Sequence, residues 1–432
     1  MDITIKPRVF GGDVVVPASK SHTIRRLLIA SMARGVSRLE NPLDSLDARS
    51  CAAVCEAFGA EIIMPAKDGA WTVRGLGGAA GLRAPQNPLD VGNSGTTLFL
   101  ALAVAALNGR PSRFTGDKQI ARRSAAPLLD ALSKLGARID SDSGCIPITV
   151  RGPLQSGRVS LPCPTSQYLS ALLLAVPLAA AGTVIEIDVP LLNERPYIEM
   201  TLSYLDTQGV KYSRRDDFSY FRIEGGAEYS PVNGEVPGDF SSAAFPALAA
   251  ALSGGELVLH NLDRQDSQGD KVFFDILQNS GCTVVWSEDE RGKRVRLSRS
   301  GVLRAGNYNL NDTPDLLPAC AVLAAFADGE SRLYNVAHAR IKETDRIAVM
   351  ARALCSLGVN CEELPDGLII KGRGGVSQNG KTPVLLDGCG DHRVVMALAC
   401  AALATPCGIT ITGAEAADVT YPQFLGLVSP AS

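Results

Sequence analysis

The chain has 432 residues, 46% of them hydrophobic but only 5% aromatic, which is enough for two or more domains with well-buried cores of small side chains. A formal net charge of −3, with no basic run and no basic domain, argues against nucleic acid or an anionic membrane as a partner, so any cationic site has to be local. The start MDITIKPRVF lacks the apolar core of a signal peptide, and stretches such as LFLALAVAAL are too short to span a bilayer, so a cytoplasmic location is expected.

In chain order the first predicted element is a short strand in MDITIKP. After it a unit recurs: a polar turn rich in Ser, Gly, Thr or Asp, then an Ala/Leu helix. The unit begins SKSHTIRRLLIASM at 19, GNSGTTLFLALAVAAL at 92 and TSQYLSALLLAVPLAAAG at 165. It returns as GDFSSAAFPALAAALSGG at 238, TPDLLPACAVLAAF at 313 and GDHRVVMALACAALA at 390, so successive starts lie 73, 73, 73, 75 and 77 residues apart. Between them, β-rich runs such as GTVIEIDVP, GELVLHNL and ESRLYNV alternate with a second helix, which ends at Gly59, Gly136, Gly209, Gly281 or Gly358. The expectation is an α/β (α+β) chain of six repeats in two similar lobes with a cleft between them. One lobe is residues 19–235 and the other is 1–18 plus 236–432, with three repeats each. The eleven cysteines form no C-x-x-C pair; most, such as Cys320, Cys355 and Cys400, fall in apolar helical patterns and read as reduced core residues.

The helix bodies read as core, but their starts are chemically unusual. They hold Lys20, Ser21 and Arg25; Asn93, Ser94 and Gly95; Thr165, Ser166 and Gln167; Asp315; and His392 with Arg393. Two further basic loops carry Lys118, Arg122 and Arg123, and Arg340, Lys342 and Arg346. A helix N-terminus carries about half a positive charge and normally attracts acidic residues, so cations there point to an anionic ligand. Together these residues suit two phosphates, or a phosphate and a carboxylate. In KETDR, the spacing of four puts Lys342 and Arg346 on one helix face, leaving Glu343 to point elsewhere as an acid; Asp315 can cap its helix or act as a base. No Gly-rich phosphate loop, nucleophile triad or metal-ligand spacing is found, and four histidines make a zinc site a poor expectation.

The segments PASKSHTIR, GNSGTT, RRSAAPLLDALSKLGA, TSQYL, RPYI, TPD, KETDR and DHR occur in the order seen in the 3-phosphoshikimate 1-carboxyvinyltransferase (EPSP synthase) family, and the chain resembles it over nearly its whole length. The resemblance implies the two-lobed enolpyruvyl transferase fold of six βαβαββ-type units with helices buried inside. It implies transfer of the enolpyruvyl group of phosphoenolpyruvate to the 5-hydroxyl of shikimate 3-phosphate, with release of phosphate, in the shikimate pathway to chorismate and aromatic amino acids. No metal or cofactor is implied, and a monomer acting on small molecules is expected. Carried over, Lys20, Ser21, Arg25, Thr165, Ser166 and Gln167 would hold shikimate 3-phosphate, together with Asp315 and Lys342. Lys20, Gly95, Arg123, Gln167, Arg346 and Arg393 would hold phosphoenolpyruvate. Asp315 would take the proton of the attacking hydroxyl, and Glu343 with Lys342 would handle the proton at the enol methylene carbon.

Three positions depart from the family pattern: Phe99 and Val419 stand where cations are usual, and Glu194 stands where serine precedes RPYI. Two alternatives therefore stay open, a carboxyvinyl transferase with another phosphorylated acceptor and a non-catalytic anion-binding paralogue. The related transferase acting on UDP-N-acetylglucosamine uses a loop cysteine where this chain has Lys118.

Overall fold

The computed structural model describes residues 1–65, 69–289, 292–376 and 382–429. Each polar start leads into a helix: Lys20–Met32, Gly95–Ala105, Gln167–Ala175, Phe240–Ser253, Leu317–Phe326 and His392–Ala404. Gly95–Ala105 and Leu317–Phe326 are buried along their entire length, so these are inner helices with no solvent face, as their unbroken Ala/Leu/Val runs dictate. In five of the six repeats a second, outer helix follows that buries one face: Leu46–Ala57, Ala126–Lys134, Arg195–Thr207, Val272–Asn279 and Arg346–Ser356.

Two residues beyond each outer helix stands one of the five expected glycines, at φ 111°, 96°, 67°, 104° and 79°, the region only glycine enters freely. At four of them the following amide reaches back to close the helix: Ala60 to Cys55 O, Ala137 to Leu132 O, Val210 to Leu205 O and Val359 to Leu354 O, at 3.0–3.1 Å. The turn delivers the chain into a hairpin. Cys355 departs from the core expectation, because it lies on the exposed side of its amphipathic helix, whereas Cys320 and Cys400 are fully buried.

Five four-stranded sheets share one plan: two parallel strands, the second antiparallel to the last strand of the repeat, which also pairs with its hairpin partner. One example is Leu89–Asp90, Ser112–Thr115, Cys145–Arg151 and Arg138–Asp142 in spatial order. In the sixth sheet Ile3–Ile5, from the N-terminus, replaces the hairpin and pairs with Ile409–Thr412.

Two edge strands join sheets distant in sequence. Gly12–Val15 lies parallel to Leu257–His260, and Asn233–Glu235 lies parallel to Val36–Glu40. The chain accordingly divides into two compact units, Met1–Ser19 with Pro237–Ser432, and Lys20–Val236. Among the described residues each holds three sheets, three inner helices and its own apolar core. No helix among the described residues is long and apolar enough to cross a membrane.

Candidate active site

In the unit Lys20–Val236, none of the three inner helices has an acidic residue in its first turn. Lys20 is the first residue of its helix, and its Nζ lies 3.1 Å from the buried Asp47. One turn on, Arg25 is fully buried. It donates to Thr201 Oγ1 at 2.9 Å, Ser170 Oγ at 3.3 Å, Ser21 O at 3.2 Å and Tyr197 O at 3.4 Å, all neutral acceptors. Burial pulls its guanidinium down to about 10, with Tyr204, Tyr197 and Glu194 opposing. A cation held this way is costly unless an anion completes the set.

Side chains also stitch the helix starts together. Arg25 joins the first inner helix to the third through Ser170, and Gln167 Nε2 donates to Thr96 Oγ1 at 2.9 Å, joining the third to the second. Gln167 Oε1 is buried without a hydrogen-bond partner among the described residues. Ser94 caps the second helix, accepting from Thr97 N at 3.3 Å. At Gly95 a Cβ would fall 2.5 Å from Arg123 Nη1, so the guanidinium can sit there only because the side chain is absent. Arg123 also lies 5.8 Å from the Phe99 ring centroid, and that ring meets Tyr168 edge-on at 5.0 Å. An aromatic face thus lies beneath a cation here. Glu194 is buried, and its Oε2 accepts from Thr165 Oγ1, Ser166 N and Ser166 Oγ at 3.1, 3.0 and 2.8 Å.

The other unit concentrates charge around Arg346, whose side chain is 0% exposed. Its Nε and Nη2 bond Asp391 at 2.8 and 3.2 Å, its Nη1 bonds Asp315 at 2.8 Å, and its Nη2 bonds Glu343 at 2.6 Å. Arg393 Nη2 lies 2.9 Å from the second Asp315 oxygen. Burial alone works against the charge on Arg346, but Asp391, Glu343 and Asp315 outweigh it and raise its pKa above the usual arginine value. Burial likewise opposes ionisation of Asp391; Arg346 overcomes that and holds its carboxyl below the usual range. Asp391 also caps the helix His392–Ala404, accepting from Arg393 N at 2.9 Å. Nearby, Asp270 is buried and accepts from Ser241 Oγ; burial, then Asp315, push its carboxyl up to about 7 against the pull of Arg393.

Three readings of single residues need correction. KETDR is not a helical turn: Lys342 closes a 3-10 turn, Ala337–Ile341, and the helix starts only at Arg346 because Asp345 caps it, accepting from Ala348 N. Glu343 therefore does not point away from Arg346 but bonds it. Asp315 does not cap Leu317–Phe326, which has no side-chain cap; two arginines take its oxygens instead. Arg340 binds Asp345, Glu363 and the carbonyls of Pro365 and Leu364, which makes it a structural tie rather than a ligand group. Lys118 and Arg122 are exposed, and Val419 ends a half-buried 3-10 turn, Ala414–Val419. Asp47, Asp270 and Asp391 go unnamed in the sequence reading. Only Asp391 carries a signal, standing first in DHR, where an acid before a helix reads simply as a cap.

The chain matches the family model for EPSP synthase (3-phosphoshikimate 1-carboxyvinyltransferase) over residues 6–427. It is 44% identical to the 3-phosphoshikimate 1-carboxyvinyltransferase of Acetivibrio thermocellus, covering 99% of this chain and 98% of that one. The enzyme of the same name from Ruminiclostridium cellulolyticum is 42% identical over 98% of this chain and 97% of its own. Among solved structures, EPSP synthase from Acinetobacter baumannii superimposes with a TM-score of 0.81 at 28% identity, covering all of this chain and 98% of the other. Five repeats on one sheet plan with a sixth completed by the N-terminal strand, stitched cationic helix starts and the matched sequence agree: the chain belongs to the EPSP synthase (3-phosphoshikimate 1-carboxyvinyltransferase) family.

Proposed function

We propose that the two clusters divide the work of the family's reaction, in which the enolpyruvyl group of phosphoenolpyruvate passes to the 5-hydroxyl of shikimate 3-phosphate and phosphate leaves. The observation that carries this reading is the contrast in charge. In Lys20–Val236 the candidate residues are three cations, Lys20, Arg25 and Arg123, and hydroxyls, with Asp47 on Lys20 and Glu194 on Thr165 and Ser166, whereas the other unit gathers Asp315, Glu343 and Asp391 around Arg346, with Arg393 on Asp315. The first arrangement favours anions, and the second moves protons.

In this proposal Lys20, Ser21, Arg25, Thr165, Ser166 and Gln167 hold shikimate 3-phosphate, with Asp315 and Lys342 at its reacting end. Lys20, Gly95, Arg123, Gln167, Arg346 and Arg393 hold phosphoenolpyruvate. Arg346 meets the incoming anion when that anion takes over Nη donors that Asp315 and Glu343 occupy here. The freed Asp315 accepts the proton of the 5-hydroxyl as its oxygen bonds to the central carbon of phosphoenolpyruvate. Glu343, with Lys342, protonates the methylene carbon and takes a proton back as the double bond re-forms, while the carbon–oxygen bond to phosphate breaks and the leaving phosphate carries off the proton held by Asp315, so the protons balance. The proposed working form is a monomer in the cytoplasm. The test is a phosphate-release assay with both substrates together and each alone. Release only with both is the expected outcome; release with phosphoenolpyruvate alone, or none at all, would overturn the proposal.

A further inference from the structure

Glu194 occupies Thr165 and Ser166, donors that the proposed function gives to shikimate 3-phosphate and that are here read as ligands of its phosphate. Its Oε2 gathers the hydroxyls of Thr165 and Ser166 and the Ser166 amide, three donors equally suited to a phosphate oxygen. Ser166 makes no side-chain cap to its own helix, Gln167–Ala175, so its hydroxyl is committed to this carboxylate. The backbone is built for the contact. Glu194 has φ 60° and ψ 41°, a left-handed conformation unfavourable for a non-glycine residue. The preceding Asn193 is pinned by its amide to Cys163 O and by Nδ2 to Pro164 O. Glu194 is also among the groups that hold up the charge of Arg25, the buried cation whose direct acceptors are all neutral.

We propose that Glu194 is a built-in occupant of the phosphate subsite, and that the substrate's phosphate has to displace its carboxylate from Thr165 and Ser166. Two anions cannot share these donors without like-charge repulsion. The residue thereby sets how strongly the chain prefers a phosphorylated acceptor over the same acceptor without its phosphate. The inference rests on the reading of Thr165, Ser166 and Arg25 as phosphate ligands, and the experiment separates the two.

Calorimetric binding constants for shikimate 3-phosphate and for unphosphorylated shikimate would be measured on the full chain and on Glu194→Gln, Glu194→Ser and Arg25→Lys. Glu194→Gln keeps an acceptor for the hydroxyls but removes the charge, so shikimate 3-phosphate should bind tenfold or more tighter while shikimate changes less than twofold. Glu194→Ser should shift the same ratio in the same direction, and it carries the test if Glu194→Gln fails to fold. A merely structural Glu194 would move both ligands together and leave the ratio unaltered. If the Glu194 variants leave the ratio unchanged or lower it while Arg25→Lys still weakens shikimate 3-phosphate selectively, the inference falls and the phosphate reading stands. If Arg25→Lys also leaves the ratio unchanged, both fall.

Discussion

Arg346 makes no sense as an isolated residue: a fully covered guanidinium is tolerable only because Asp315, Glu343 and Asp391 surround it. Those carboxylates in turn depend on it, and two of them are the proposed proton carriers. Asp315→Asn and Glu343→Gln should therefore bind both substrates about as well as the parent yet lose on the order of a hundredfold or more in turnover. Calorimetry beside steady-state rates checks this, and near-normal turnover in both would remove them from the chemistry. Asp270 predicts a pH effect. Its folded carboxyl sits at about 7, above the ordinary value of 3.8, so between those limits the folded chain keeps a proton that the unfolded chain has shed. Stability consequently falls as pH rises through that window, at about 1.4 kcal/mol per unit of displacement. Asp270→Asn abolishes the term, so its stability relative to the parent should improve from about pH 4.5 to about pH 8 in denaturant melts; a difference flat with pH would contradict the assignment. Residues of this kind were only half legible in sequence. Arg346 is visible in KETDR, but Asp270 lies 76 positions away and meets the cluster only through folding.

At the scale of the element, local chemistry explains both what sequence reading captures and where it slips. Glycine after an outer helix forces the turn into a hairpin, and an unbroken Ala/Leu run has no polar face to show to water, so helix, stop and strand are all written locally. KETDR slips because a spacing of four implies a shared helix face only if the residues are helical. Asp345 is a better cap than interior residue, and the helix begins one position later. The start of Gly95–Ala105 shows an element shaping a ligand group. Since the atoms nearest a Cβ at 95 all belong to the flexible end of Arg123, Gly95→Ala should cost less than about 1 kcal/mol of stability. It should nonetheless raise the Michaelis constant for phosphoenolpyruvate about tenfold or more by moving that guanidinium. A variant with unchanged kinetics would show that Arg123 does not serve this substrate.

For the whole molecule, the two exchanged edge strands are decisive. Because Asn233–Glu235 completes the sheet of Val36–Glu40, residues 20–236 form a continuous segment with its own core. Expressed alone, this segment should unfold cooperatively in denaturant, whereas ending it at residue 232 should lower the midpoint by removing the paired edge. A non-cooperative melt of 20–236 would mean that its core depends on the rest of the chain. The sequence by itself determined the six repeats, the inner helices, their glycine stops and the cationic starts, since each follows from periodicity, propensity or charge within a few dozen residues. Only the tertiary structure decided which charges meet. Asp391 and Asp315 close on Arg346 from separate repeats, and Glu194 turns back onto Thr165 and Ser166 across 28 residues. Pairings of this kind depend on distances in space that no local pattern encodes, and the low dielectric of the interior makes them strong enough to set the chemistry.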